Sequence, residues 1–291
     1  MLKLPDDSTS AIRLADWLEL TAMLSGDGDS SIGDLERSLR RAASDETDTD
    51  NAIELRIMAA HEEIEQRLRA AGKAYPFDID YGTVQVKTNW EDFPAYVFCL
   101  CLSYFGSPIQ EPRKLFEQVA RAAVKEYLQG DAIDFGFPRS NFPRSFSDAV
   151  SELCIRIGEG GGYNSLPSQS HKDDKLDIVA WKEFPDSRSS KLLLFGQCAS
   201  GVDWEGKLRE LSPEAFCKNW MREALISPLI SSIFIPHRIE RDRWNWVARN
   251  AGIVFDRCRI AYWAHDAKVD FSGCIDWIAQ TIDGRGRPIS S

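Results

Sequence analysis

The sequence lacks any long uninterrupted hydrophobic segment. Its longest apolar stretch, near residues 96–105, covers about half of the roughly 20 residues that a transmembrane helix needs. The first seven residues, Met-Leu-Lys-Leu-Pro-Asp-Asp, contain no apolar signal core. We therefore predict a soluble, cytoplasmic protein that has no membrane partner.

Motifs that hold cysteine in disulfides or on zinc are also missing. The seven cysteines form an odd set without a CxxC pair, and the four histidines are scattered without an HxxxH pair. This pattern argues against a disulfide framework and against a metal cage of cysteine and histidine. Most of the cysteines are expected to be small buried residues.

A surplus of basic residues is absent as well. The net charge is −10, and residues 1–75 hold 9 Lys and Arg against 16 Asp and Glu. A globally cationic surface for nucleic acid is thereby excluded, although a local cationic cleft is not. The acidic N-terminal region is predicted to bind a protein partner, to mediate homo-oligomerisation or to restrain activity.

The hydrophobic pattern divides the chain into two parts. Up to about residue 130 it is typical of helices, such as one that Ser10 caps and that extends to Leu24. A segment rich in glycine, proline and aspartate follows at residues 130–143. Beyond it, predicted strands at 176–181, 192–198, 230–235 and 253–263 alternate with helices. The fold class is therefore predicted as α/β, with a helical region at 1–130 and an α/β domain at 131–291.

Two of these strands bring polar side chains to one end of the predicted sheet. If the strands at 176–181 and 192–198 form a hairpin, Asp177 and Gln197 meet there, because side chains alternate with a period of two. Mg²⁺ commonly binds one or two carboxylates and completes its shell with water and phosphate. The pair predicts an oxygen-rich site for a divalent metal.

The order of these elements resembles the PD-(D/E)xK nuclease superfamily. Residues 173–180, Asp-Asp-Lys-Leu-Asp-Ile-Val-Ala, resemble its first motif, and residues 194–201, Leu-Phe-Gly-Gln-Cys-Ala-Ser-Gly, resemble its second. Glu152, on the preceding predicted helix, stands where members often carry an extra metal-binding acid. The resemblance covers about residues 140–265 and implies a restriction-endonuclease-like mixed sheet flanked by helices.

Two positions depart from the superfamily pattern. Gln197 replaces the usual second acid, and Ala199 occupies the place of the lysine. In some members that lysine lies on the next helix, so Lys207, in a helix predicted around residues 204–211, is the candidate for its role. Lys172 and Lys182 are weaker candidates.

The resemblance implies a metal-dependent endonuclease that leaves 5′-phosphate ends. Mg²⁺, with Mn²⁺ as a substitute, would be held by Asp177, Glu152, the side-chain oxygen of Gln197 and the Cys198 carbonyl, and Lys207 would stabilise charge on phosphorus. The expected substrate is DNA rather than RNA, in bacterial defence or DNA processing. The residues expected to contact nucleic acid are Lys172, Lys182, Arg257 and Arg259.

Two other interpretations use the same residues. Since its lysine is displaced, the chain could be a nuclease-like scaffold or binding subunit that has lost catalysis. Alternatively, Cys198 follows an apolar strand, as the nucleophile does in caspase-like proteases, and such a thiolate needs a histidine base. His171 lacks a preceding strand and a following glycine, and His265 lies downstream instead of upstream.

Overall fold

The computed structural model describes residues 2–43, 50–87, 89–106, 111–139, 142–165 and 174–286. Over these residues the chain forms ten α-helices and eight strands. The helices are α1 (Ala11–Leu24), α2 (Ile32–Ala42), α3 (Asp50–Ala71), α4 (Pro94–Phe105), α5 (Glu111–Leu128), α6 (Phe146–Ile157), α7 (Pro213–Trp220), α8 (Trp244–Ala251), α9 (Arg257–Ala264) and α10 (Ser272–Gly286). The strands are β1 (Asp29–Ser31), β2 (Phe77–Asp80), β3 (Thr83–Val86), β4 (Asp131–Asp134), β5 (Ile178–Lys182), β6 (Leu192–Cys198), β7 (Leu229–Phe234) and β8 (Ile253–Phe255).

Local signals place several elements where the sequence predicts them. Ser10 caps α1 by accepting a hydrogen bond from the Arg13 backbone N–H, and α1 extends to Leu24 as predicted. Gly158 ends α6 in the left-handed conformation that glycine adopts without strain. Strand β3 is the centre of a small antiparallel sheet with the order β1-β3-β2.

A five-stranded mixed sheet with the order β4-β5-β6-β7-β8 forms the centre of the fold. The first three strands are antiparallel, and Ile178 of β5 pairs with Gly196 of β6. Strands β6, β7 and β8 are parallel, so their carboxyl ends meet at one edge. The α/β class and the predicted hairpin of β5 and β6 are confirmed.

Different helices cover the two faces of this sheet. Helix α5 packs on β4 and β5 and also contacts α9, and Ile178, Leu194 and Phe234 of the sheet belong to that core. The opposite face packs on α6 and α7 through Val179 and Phe195. The core beneath α5 also includes buried residues of α1, α3 and α4. The predicted boundary at residue 130 therefore falls at the turn between α5 and β4, and one hydrophobic core crosses it.

The structure corrects two predicted elements. The strand predicted at 253–263 ends at Phe255, where Asp256 caps α9 by accepting a hydrogen bond from the Arg259 backbone N–H. A short apolar run suits a strand or a buried helix equally, and the cap decides. The helix predicted at 204–211 is a 3-10 turn, Trp204–Lys207, and the helix between β6 and β7 is α7 instead.

A network of buried charges joins the first helices to the end of the chain. The guanidinium of Arg67 on α3 donates to Asp16 at 2.8 Å, to Glu19 at 2.9 Å and to Glu63 at 2.8 Å. Arg257 of α9 donates to the same Asp16 carboxylate at 2.7 Å. The side chains of Asp16, Glu19, Arg67 and Arg257 are fully buried.

The surroundings of the two α1 carboxylates shift their pKa values in opposite directions. Burial alone would raise the pKa of Asp16, but Arg257 and Arg67 lower it to about 2. For Glu19, burial prevails over the same cations and raises the pKa. Both Tyr75 and Tyr96 donate their hydroxyl hydrogen bonds to Glu19, at 2.8 and 2.9 Å. This cluster therefore satisfies its buried polar groups internally.

Removal of the Arg67 charge is expected to destabilise the fold strongly. In Arg67→Met, three carboxylates each lose one buried cationic partner, so the free energy of unfolding should fall by about 3–5 kcal/mol. Urea unfolding followed by circular dichroism measures the change. Arg69→Met is the control, because Arg69 is on the same helix but 64% exposed, and its loss should cost less than about 1 kcal/mol. Equal effects of the two substitutions would contradict the role of the network.

Candidate active site

Asp177 lies directly before β5 and is fixed by both neighbouring strands. Its backbone N–H donates to Gly196 at 3.0 Å, and its carbonyl accepts from Phe135 at 2.7 Å and from Gly136 at 3.0 Å. The carboxylate oxygen Oδ2 accepts a hydrogen bond of 2.8 Å from the backbone N–H of Cys198, the last residue of β6. Asp177 is thus held rigidly at the carboxyl end of β6.

A second carboxylate meets Asp177 over Gly136. A Cβ built on Gly136 would lie 2.8 Å from Asp177 Oδ1 and 3.2 Å from Glu117 Oε2. The two oxygens therefore lie within 3.2 Å of one point, in a cradle that only a glycine leaves open. Glu117 belongs to α5, the helix that precedes the antiparallel strands β4, β5 and β6.

Lys114 provides a cation at this cradle, one helical turn before Glu117. Its ammonium lies 2.5 Å from Glu117 Oε2 and donates to the Gly136 carbonyl at 3.0 Å. Residues three apart on a helix share a face, which is why one turn of α5 presents both charges to the sheet end. We call Lys114, Glu117, Gly136 and Asp177 the cradle site.

A third acid, Asp134, adds its negative charge to those of Asp177 and Glu117 around Cys198. Asp134, at the end of β4, forms an ion pair of 2.9 Å with Arg121, and among the described residues its buried Oδ1 has no hydrogen-bond partner. Burial raises the pKa of Asp134, against the opposing charges of Arg121 and Lys114. This oxygen is the kind of buried acceptor that a bound cation or water would satisfy.

The surroundings of Cys198 oppose a role as a nucleophile. Burial and the negative charges of Asp177, Glu117 and Asp134 raise the pKa of its thiol well above the ordinary value. The reactive form of cysteine is the thiolate, which such surroundings suppress. His171 is outside the described residues, and His265 stacks on Phe93 at the end of α9. The electrostatics thus count against the protease interpretation.

Gln197 and Lys207 have a different carboxylate as their neighbour. The Gln197 side-chain amide donates to Glu210 at 3.1 Å, and Lys175 lies 3.3 Å from the same oxygen. Although burial raises the pKa of Glu210, hydrogen bonds from Gln197 and Lys175 and the charge of Lys207 lower it. Gln197 follows Phe195 on the face that α7 covers, whereas Cys198 belongs to the core beneath α5. The acid that shares a cradle with Asp177 is therefore Glu117.

Glu152 lies on a different helix from Glu117, the acid that meets Asp177. It forms an ion pair of 2.8 Å with Arg156 along α6, on the sheet face opposite α5. The sequence misleads because α6 is inserted between β4 and β5, so the helix just before Asp177 in the chain is not the helix beside it. Glu117 could have been found by assigning β4 and searching the helix before it.

The structure places the residues predicted to contact nucleic acid in different surroundings. Arg257 is wrong as a surface contact, because it is fully buried against Asp16. Lys182 donates to the Gln129 carbonyl at the end of β5 remote from Asp177. Arg259 is exposed, with its guanidinium 4.4 Å from the centre of the Trp244 ring, so it stays a candidate. Lys172 lies outside the described residues.

Comparisons with known proteins identify no relative. No family model, curated protein or solved structure matches the chain. Among the helices that the structure describes, none combines the length and the apolar character needed to cross a bilayer.

The cradle site fits a divalent cation held by few protein ligands. Among the described residues, no group of three or more His, Cys, Asp or Glu side chains is arranged to hold a metal. Mg²⁺ does not require one, because it is usually bound through one or two carboxylates together with water and substrate phosphates. Asp177 and Glu117 supply two converging carboxylates, and the buried Oδ1 of Asp134 lacks a hydrogen-bond partner among the described residues.

Replacement of Gly136 by alanine tests the convergence directly. The new Cβ would lie 2.8 Å from Asp177 Oδ1, closer than real contacts allow, and should force the two carboxylates apart. We expect a loss of about 1–3 kcal/mol in the free energy of unfolding, measured by urea titration. Gly206→Ala is the matched control, because a Cβ there meets nothing within 4 Å. A Gly136→Ala variant as stable as the control would contradict the cradle.

Proposed function

We propose that the chain is a divalent-metal-dependent nuclease that hydrolyses phosphodiester bonds in nucleic acid at the cradle site. The observation that carries the proposal is the convergence of Asp177 and Glu117 over Gly136, with the ammonium of Lys114 on Glu117. The order of elements supports it: helix α5, three antiparallel strands, helix α7 and the parallel strand β7 follow one another along the chain, with α6 inserted between β4 and β5.

Asp177 and Glu117 are the residues that would hold the metal. When bound, a divalent ion there would polarise a phosphate oxygen and lower the pKa of a coordinated water. The Cys198 N–H orients the Asp177 carboxylate, so its other oxygen, Oδ1, is directed to the cradle. Orientation of ligands by such neighbouring hydrogen bonds is what tunes metal affinity.

Lys114 takes the part that the sequence assigned to Lys207. Ala199 is buried against the core of α8 and cannot present a cation to Asp177. Lys114 already lies at the cradle, and its ammonium can stabilise the charge that develops on a phosphate in the transition state. The lysine is therefore supplied by the first helix of the nuclease-like unit.

DNA is the substrate that we propose, with the acidic N-terminal region as a surface for a protein partner. The net charge of −10 repels a polyanion at long range, so binding must rely on cations near the site. Lys114, at the cradle itself, is such a cation, and Lys175 and Lys207 lie around the neighbouring carboxylate of Glu210.

Cleavage of plasmid, linear and single-stranded DNA and of RNA, in Mg²⁺, Mn²⁺ or EDTA, tests the function. The wild-type chain should cleave only with metal. Asp177→Asn and Glu117→Gln should each lose at least about 100-fold in rate, because each removes a metal ligand. Glu152→Gln is the matched control and should keep its rate, since its partner is Arg156.

The outcomes separate the competing interpretations. Loss of activity in Glu152→Gln with full activity in Glu117→Gln would restore the ligand set predicted from the sequence. Nucleic-acid binding without cleavage under every condition would reject the nuclease and favour the inactive scaffold. Cleavage that survives EDTA would reject the metal.

A further inference from the structure

The ammonium of Lys114 stands at the oxygen through which Glu117 would bind a metal. Its Nζ lies 2.5 Å from Glu117 Oε2, the same oxygen that lies 3.2 Å from a Cβ built on Gly136. Asp177 Oδ1 is the other carboxylate oxygen close to that point. A cation bound between the two carboxylates would therefore share Oε2 with Lys114.

Electrostatics explain why a cation belongs there in the resting protein. The side chain of Glu117 is only 12% exposed, and the charges of Asp177, Glu117 and Asp134 all act on the buried Cys198 thiol. Carboxylates gathered in a poorly solvated place repel one another unless a positive charge lies among them. Lys114 supplies that charge from within the chain.

A divalent cation and the ammonium cannot both remain on Oε2 without cost. Two positive centres a few ångströms apart repel, and more strongly where water is largely excluded. The lysine side chain is flexible and 27% exposed, so its ammonium has room to turn away from Glu117. A substrate phosphate at the metal would offer it a new anionic partner.

We propose that Lys114 is a built-in counter-ion that occupies the metal position and is exchanged for the divalent cation when substrate binds. The inference rests on the proposed function, because it assigns a regulatory step to the same site. Metal alone binds weakly, since it must displace the ammonium. A phosphodiester that accepts the ammonium strengthens metal binding, and metal in turn strengthens substrate binding by the same factor.

Mn²⁺ binding to the full chain without substrate tests this exchange, measured by calorimetry or by the electron-spin signal of free Mn²⁺. Lys114→Met should bind Mn²⁺ about 10-fold more tightly than the wild type, within the usual range of coupling between sites. Lys114→Arg keeps the charge and should bind as weakly as the wild type. Lys125→Met is the matched control on the same helix, because Lys125 pairs with Asp131 outside the cradle.

A nuclease-resistant phosphorothioate oligonucleotide, checked to be intact after the titration, gives the second measurement. It should tighten Mn²⁺ binding to the wild type by about 10-fold and leave that of Lys114→Met nearly unchanged, because the variant has no ammonium to transfer. Asp177→Asn and Glu117→Gln locate the site, since each should weaken the Mn²⁺ binding of the Lys114→Met background.

Failure of this inference differs from failure of the nuclease proposal. Equal Mn²⁺ affinity of the wild type and Lys114→Met, with binding that needs Asp177 and Glu117, overturns the counter-ion but leaves the metal site intact. Tight Mn²⁺ binding by Lys114→Arg overturns it as well. Absence of Mn²⁺ binding in every variant, with and without the oligonucleotide, overturns both proposals.

Discussion

The salt bridges of Asp16 with Arg67 and Arg257 are the interaction on which the rest of the structure depends. They join α1 and α3, near the start of the chain, to α9, which follows the last strand of the large sheet. Helix α9 is in turn the neighbour against which α5 packs. Because α5 carries Lys114 and Glu117, the network indirectly sets the position of half of the cradle site.

Buried charges of this kind favour one arrangement over others more than they add stability. Desolvation offsets much of the attraction, but a wrong pairing would leave a buried charge uncompensated. The network also changes the meaning of the acidic N-terminal region. Asp16, Glu19 and Glu63 contribute to its negative charge, yet they are buried against arginines and are not available to a partner. The partner surface that we propose for this region would therefore have to be formed by the remaining, exposed acids.

The sequence predicts whatever local chemistry determines. Ser10 predicts the start of α1, and the register of the β5–β6 hairpin brings Asp177 to the end of β6 as expected. Contacts between residues that are far apart in the chain give no such signal in the local sequence. The local sequence around Arg257 fits an alternating strand, and its partner Asp16, 241 positions away, leaves no signal there. In the sequence, Glu117 looks like any other charged residue on an amphipathic helix. Its role depends on α5, rather than α6, lying beside Asp177, and that becomes clear only when α6 is seen to be inserted between β4 and β5.

The same topology explains why the lysine that we propose for the site, Lys114, comes from α5 and not from β6. Alternation along β6 turns Gln197 and Ala199 away from α5, so that Gln197 faces Glu210 and Ala199 faces the core of α8. Instead, one turn of α5 lies at this end of the sheet and presents Lys114 and Glu117 on a single face. The backbone positions of two residues three apart on a packed helix are fixed relative to each other, whereas a lysine side chain can still rotate. Exchange of the ammonium for a metal then requires rotation of one lysine side chain, with no movement of the backbone that holds Glu117, Gly136 and Asp177.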